Sequence, residues 1–175
     1  MLERHERVEP SGNEKSLTAT APASRSQPAS VLPQRAGATV LAFDFGEKFT
    51  GVAVGESGLG IAHPLALITA ERKAARMDEI AMLVAQWQPG AMVVGLPLSM
   101  DGTEHEMTQR CRRFARQLES RFSLPVTLVD ERLTSAAAEE ALRAADRGGR
   151  KHKLHAHQVS AQIILQSYFD DTGSS

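Results

Sequence analysis

A chain of 175 residues has room for one domain and a tail, and a hydrophobic fraction of 42% is ordinary for a protein that folds around a single core. The formal net charge is -1, so any nucleic-acid partner has to be met by a local basic patch. The single cysteine, Cys111, excludes an intrachain disulfide framework and a cysteine-based zinc site, and it suits a reducing compartment such as the cytoplasm. Because the apolar runs are far shorter than a membrane span, no membrane role is expected.

The N-terminal segment differs in composition from the rest of the chain. Residues 1–37 are rich in Ser, Pro, Ala, Glu and Arg, with apolar residues too scattered to form a helical stripe or an alternating strand. This composition predicts a disordered tail. We expect one folded domain at 38–171 and a short C-terminal tail at 172–175.

Three strands are predicted at the start of the domain. Residues 39–45 are apolar apart from one charge, Asp44, and they end at a glycine. Residues 49–54 alternate as a hairpin partner would, and 59–68 supply a third strand. Because their connections are short, these strands are predicted to form an antiparallel meander.

Helical and strand patterns alternate through the remainder of the chain. Thr103 and Glu106 have the spacing of a capping box, which predicts a helix start. The predicted elements are a helix from Met77 to Trp87, a strand at 91–96, a helix continuing to Phe122, a strand at 126–129, an Ala-rich helix from Thr134 and a final helix at 159–169. The order predicts an α/β fold with a mixed five-stranded sheet, an antiparallel meander followed by parallel strands, flanked by helices.

Basic residues are concentrated in two places. Between the last two predicted helices, Gly148 and Gly149 stand among four basic residues, which predicts a mobile loop able to grip a phosphate backbone; a solubilising connector is the alternative. These basic residues are Arg147, Arg150, Lys151 and Lys153. The arginines of the helix that ends at Phe122 are interpreted as a solvated surface, with a phosphate-facing ridge as the alternative.

The predicted order of strands makes two carboxylates candidates for binding a metal ion. Asp44 lies within an apolar strand and Glu131 comes directly after the fifth strand, so parallel strands would bring both to one end of the sheet. Hydrolysis of a phosphodiester by divalent metal needs such oxygen ligands. The alternatives are a turn residue for Asp44 and a surface salt-bridge cluster at 130–132.

Three blocks of sequence resemble the YqgF/RuvX family. Residues 43–55 (FDFGEKFTGVAVG) resemble its D-x-G-x-K-x-x-G-V-A-V-G opening, 93–103 (VVGLPLSMDGT) its V-V-G-L-P-L-N-M-D-G-T, and 129–134 its V-D-E-R-L-T segment. The resemblance extends from about Thr39 to Asp170. It implies an RNase H-like fold, an active site like that of Holliday-junction resolvases and a role in maturing the 5′ end of pre-16S rRNA.

The resemblance also assigns catalytic and metal-binding residues. Asp44 matches the family's first-strand aspartate, which binds metal, and Glu131 matches its second acidic residue. The family's third acid precedes an A-x-I-I-L-x-x-Y segment, here residues 161–168, and counting back places His157 there. A neutral imidazole can bind metal or transfer protons, and Mn²⁺ would tolerate it better than Mg²⁺. The alternative for His157 is a first-turn helix residue without a function.

Further residues of the matched blocks are predicted to contact nucleic acid. Ser99 and Thr103, in the loop after the fourth strand, would bind phosphate together with backbone amides of the following helix; Asp101-Gly102 can equally be a plain turn. Lys48 and Arg132 are predicted to join them.

The predicted function is that of a metal-dependent nuclease, a hydrolase acting on ester bonds with Mg²⁺ or Mn²⁺, whose preferred substrate is pre-16S rRNA. The alternatives are a Holliday junction resolvase acting on branched DNA and a catalytically weak nucleic-acid-binding factor. An actin-like ATPase needs two related domains around its nucleotide, and the chain has room for only one. A monomer or weak homodimer is expected.

Overall fold

The computed structural model describes residues 37–133 and 150–173. Within these ranges one sheet contains β1 (Thr39–Phe45), β2 (Thr50–Glu56), β3 (Ile61–Ile68), β4 (Ala91–Leu96) and β5 (Val126–Asp130), in the order β3-β2-β1-β4-β5. The pairs β1/β2 and β2/β3 are antiparallel, whereas β1/β4 and β4/β5 are parallel. The predicted mixed sheet, a meander followed by parallel strands, is therefore confirmed.

Helices cover both faces of this sheet. α1 (Lys73–Trp87) and α2 (Glu106–Phe122) pack on one face, and α3 (Arg150–Gly173) packs on the other. Alternate residues of β1 enter the two cores: Leu41 and Phe43 face α1 and α2, whereas Val40 and Ala42 face α3. Because both faces are covered, β1 and β4 are apolar along almost their whole length.

The start of α2 differs from the prediction. The helix begins at Glu106 after His105, whose backbone N–H donates to the hydroxyl of Thr108 at 3.2 Å, so the predicted capping box of Thr103 and Glu106 is wrong. Thr103 is held elsewhere, since its hydroxyl and its backbone N–H both donate to the carboxylate of Asp101, at 2.7 and 3.0 Å. A charged acceptor two residues upstream engages Thr103 in a local turn and removes it from the helix end.

The start of α3 also differs from the prediction. The helix already includes Arg150, Lys151 and Lys153, so their assignment to a mobile loop is wrong. The residues from 150 onward contain no glycine or proline before Gly173, and the helix continues back toward the two glycines at 148–149. Arg147, the Ala-rich segment from Thr134, residues 1–36 and the side chains of the three basic residues lie outside the described part of the chain.

A buried arginine supports the turn that follows β1. Arg76 of α1 is 6% exposed, lies over the Phe45 ring at 5.0 Å, and donates to the carbonyl oxygens of Glu47 at 2.6 Å and Ala70 at 3.2 Å. Burial lowers the pKa of its guanidinium. Because these carbonyls satisfy the buried charge, Arg76 ties the turn after β1 to α1. Among the described residues, no helix is long and apolar enough to cross a membrane.

Candidate active site

Asp44 lies near the end of β1 and on the face of the sheet that α3 covers. It alternates with Val40 and Ala42, which belong to the core under α3, and its side chain is 17% exposed. In the β1/β2 ladder its partner is Gly51. The sheet thus presents a carboxylate at the edge where β1, β4 and β5 all end, as the sequence predicted.

Glu131 lies at the same end of the parallel strands as Asp44. It is the first residue of a 3-10 turn, Glu131–Leu133, that directly follows β5. Its side chain crosses β4 at Gly95, where an added Cβ atom would lie 2.3 Å from Glu131 Oε1. The absence of a side chain at Gly95 therefore gives the carboxyl group of Glu131 its space.

Burial and charge both act on Glu131. The pKa of its carboxyl is raised to about 7, chiefly by burial and further by the negative charges of Asp44 and Asp130. The structure therefore brings Asp44 and Glu131 into one electrostatically coupled group. Two carboxylates that repel each other where water is partly excluded are stabilised by a proton or by a cation bound between them.

His157 contacts Asp44 directly. The Nδ1 atom of His157 lies 3.0 Å from Asp44 Oδ2, and the imidazole ring is 5.7 Å from the ring of Phe49. The hydrogen bond with Asp44 raises the pKa of His157, while burial opposes that rise. His157 lies well inside α3 and not in its first turn, so the interpretation as a first-turn residue is wrong.

Gly51 allows the backbone at His157 to pack closely against β2. A Cβ atom added at Gly51 would lie 1.8 Å from the carbonyl oxygen of His157 and 2.4 Å from its carbonyl carbon. The backbone of α3 therefore touches β2 directly opposite Asp44. Sequence reasoning passed over Gly51 and Gly95, although glycine inside a strand is a signal of close backbone approach.

The donor set fits a hard divalent cation. Asp44 and Glu131 supply carboxylate oxygens, and their mutual repulsion is the charge imbalance that such a cation neutralises. In the described part of the chain, however, no three His, Cys, Asp or Glu side chains already form a group able to hold a metal ion. His157 occupies one oxygen of Asp44, so an ion would have to compete with this imidazole.

Arg132 is engaged within the protein. Its guanidinium makes several hydrogen bonds to the Asp130 carboxylate, the shortest at 2.6 Å, and reaches the Met100 carbonyl oxygen at 3.4 Å. The salt-bridge alternative at 130–132 thus holds for Asp130 and Arg132, while Glu131 turns inward. Arg132 joins the end of β5 to the loop after β4.

The other predicted contact residues lie in loops at the same sheet edge. Lys48 is exposed on the turn after β1. Ser99 is partly buried after β4, and its backbone N–H donates to the carbonyl oxygen of Thr103 at 3.1 Å. Hydrogen bonds from Thr103 lower the pKa of Asp101. These loops follow β1 and β4 at the edge that carries the carboxylates. The side chains of Arg147, Arg150, Lys151 and Lys153 lie outside the described residues.

The topology of the sheet and the carboxylates at the ends of β1 and β5 together define an RNase H-like protein with an acidic centre. A solved structure of the fowlpox virus Holliday junction resolvase shares this fold, with a TM-score of 0.50 and 10% identity over 77% of this chain and 99% of that one. The family model described as "RuvX: Holliday junction resolvase" matches residues 38–171. The chain belongs to the RuvX family.

Two relatives support the same assignment. A protein of Methylobacillus flagellatus is 58% identical over 135 residues, which is 77% of this chain and 92% of the relative. A protein of Thiobacillus denitrificans is 58% identical over 132 residues, or 75% of this chain and 91% of the relative. Both carry the name "Putative pre-16S rRNA nuclease". The family predicted from the three sequence blocks is therefore confirmed.

Proposed function

We propose that this protein is a divalent-metal-dependent nuclease that hydrolyses phosphodiester bonds in the 5′ leader of pre-16S rRNA. The observation that carries the proposal is that Asp44, near the end of β1, and Glu131, directly after β5, lie at the same carboxyl edge of the parallel strands. The names of the relatives supply the substrate. A nuclease for a ribosomal precursor acts in the cytoplasm, and a monomer or weak homodimer remains our expectation.

Each site residue has a role in this proposal. Asp44 and Glu131 hold the ion, Mg²⁺ or Mn²⁺, which when bound activates water and neutralises charge on the phosphate. His157 orients Asp44 through Nδ1, which leaves Nε2 as the ring atom that exchanges a proton during the reaction. The loops that carry Lys48, Ser99 and Thr103 line the path of the substrate backbone.

A four-way DNA junction is the second candidate substrate. It is favoured by the description of the family model that matches residues 38–171. The metal chemistry of the two carboxylates is indifferent to base and sugar, so the two substrates are separated only by assay.

The direct test is cleavage of a labelled pre-16S 5′-leader RNA and of a four-way DNA junction, each with Mg²⁺, with Mn²⁺ or with EDTA. We expect metal-dependent cutting of the RNA by the wild type and none by Asp44→Asn, which keeps the shape of the side chain and removes its charge. RNA binding in EDTA without cutting in either metal would contradict the nuclease and favour a binding factor. Preferential cutting of the junction would favour the resolvase.

Replacing His157 with aspartate should change the metal requirement. His157→Asp places a third carboxylate beside Asp44, so we expect the Mg²⁺ concentration for half-maximal cleavage to fall about tenfold. Titration of cleavage with Mg²⁺ and with Mn²⁺ measures the effect. His157→Ala is the control that removes the imidazole without adding charge, and an unchanged Mg²⁺ requirement in His157→Asp would contradict a metal-binding role for this position.

A further inference from the structure

A basic groove runs between α1 and α2, on the face of the sheet opposite α3. Its volume is about 460 Å³, and the buried side chain of Met77 forms part of its lining. Four cations border it: Lys73 at the start of α1, and Arg113, Arg116 and Arg121 on α2. A second hollow adjoins the groove and shares Lys73, Met77 and Arg113 with it. Because this hollow is also lined by Phe45, Arg76 and Arg110, the groove extends to the end of β1.

Three of the four bordering cations, Lys73, Arg113 and Arg116, differ from the other basic residues of these helices. Arg76 is satisfied by carbonyl groups, Arg110 is paired with Glu47 and Glu106, Arg112 with Glu104, and Arg121 with Asp78. By contrast, no carboxylate in 37–133 or 150–173 forms an ion pair with Lys73, Arg113 or Arg116, and all three are exposed. Within the described ranges no carboxylate neutralises these three charges at the groove, which favours an anionic ligand.

The position of the groove relative to Asp44 indicates which anion it binds. Phe45, which lines the hollow at the end of β1, follows Asp44 directly, and successive strand residues point to opposite faces. The groove thus opens at the same sheet edge as the carboxylates, on the far side of β1. A polymer whose backbone crosses this edge can reach both surfaces, whereas a small anion cannot.

We infer that the groove between α1 and α2 binds backbone phosphates of the RNA strand that is cut at Asp44 and Glu131. The inference rests on the proposed function for the identity of the polymer. Asp44 and Glu131 repel phosphate, and the net charge of the whole chain is -1. Binding of the RNA backbone therefore depends on local cations such as those of the groove. Contacts of this kind position the backbone and read no sequence.

The test compares neighbouring arginines of one helix in the full-length protein. Binding of a labelled single-stranded RNA of roughly 20 nucleotides is measured in EDTA at several salt concentrations, a length well above the roughly 4 to 16 nucleotides of common single-strand sites. For the double variant Arg113→Ala/Arg116→Ala we expect the Kd to rise about tenfold or more at 0.1 M salt. The slope of log Kd against log salt should fall by about 1.4, because each of the two phosphates that the variant no longer binds contributes about 0.7. Arg112→Ala, the adjacent arginine paired with Glu104, should stay within about twofold of wild type.

The outcomes separate this inference from the nuclease assignment. If the wild type cuts RNA, the double variant should show a raised KM with an unchanged kcat, because neither arginine touches the carboxylates. Equal Kd values and equal salt slopes for the double variant, Arg112→Ala and wild type would overturn the groove even if cutting persists. If the wild type cuts nothing and only the double variant loses RNA binding, the inference about the groove is supported and the nuclease assignment is contradicted.

Discussion

Glu131→Gln is expected to abolish cleavage and, at the same time, to stabilise the metal-free protein. Cleavage should fall at least about 100-fold, because the variant loses a carboxylate that we propose holds the ion, and charge stabilisation by such ions is worth several kcal/mol. The gain in stability follows from the raised pKa of Glu131, about 7 against an ordinary 4.5. Ionising this buried carboxyl beside Asp44 and Asp130 costs folding free energy, and glutamine avoids that cost.

The sign of the pH dependence follows from linkage. The folded state holds the Glu131 proton more tightly than the unfolded state, so the wild type loses stability as pH rises from about 4.5 through about 7. The full difference is about 3 kcal/mol, an upper bound because part of the side chain meets solvent. Glu131→Gln should therefore match wild type below pH 4.5 and exceed it at pH 8.

Urea unfolding in EDTA at pH 4 and pH 8 measures this difference. Glu119→Gln, at an exposed position of α2, is the matched control and should change neither stability nor cleavage. A Glu131→Gln protein that is less stable than wild type at pH 8 would show that the carboxyl is already compensated by a positive partner. Saturating Mg²⁺ or Mn²⁺ should stabilise the wild type and leave Glu131→Gln nearly unaffected.

Gly51→Ala is expected to cause the largest loss of stability among single methyl additions at this site. The new Cβ atom would meet the His157 carbonyl oxygen at 1.8 Å, and a backbone atom cannot rotate away as a side chain can. Relief requires α3 to lift from β2, which disturbs the core of Ala53, Ala161 and Leu165. Overpacking of this kind costs about 1–3 kcal/mol, and the upper end applies here.

Denaturant unfolding and cleavage of the Gly51→Ala protein test this expectation together. Displacement of α3 also draws His157 away from Asp44, so cleavage should fall even at temperatures where the variant is folded. Gly173→Ala adds the same methyl group to α3 at a position with no atom within 4 Å and should be neutral. Wild-type stability in Gly51→Ala would mean that α3 and β2 are not in direct contact.

The sequence allowed the sheet to be predicted more accurately than the ends of the helices. β1 and β4 match their predicted bounds because a buried strand is a continuous apolar run between turn residues. The start of α2 was misplaced because Thr103 prefers a nearby carboxylate, a choice that depends on local geometry. The start of α3 was misplaced because basic residues are good helix formers even beside glycines.

The candidate site was only partly predictable. The chain positions of Asp44 and Glu131 gave their shared sheet edge, since parallel strands end together. The bond between His157 and Asp44 joins residues 113 positions apart and depends on how closely α3 approaches Gly51, which no local pattern encodes. The buried Arg76 and the groove beside it likewise arise only when α1 and α2 are placed on the same face.

The contact between His157 and Asp44 gives the acidic centre a counter-charge of its own when no metal is bound. The hydrogen bond with Asp44 raises the pKa of His157, and burial raises that of Glu131, so both shifts favour a bound proton that reduces the negative charge of the two carboxylates. Binding of a divalent ion to these carboxylates would release such protons. Under the proposed function, the acidity of the surrounding solution and the supply of divalent metal would therefore set the active fraction jointly.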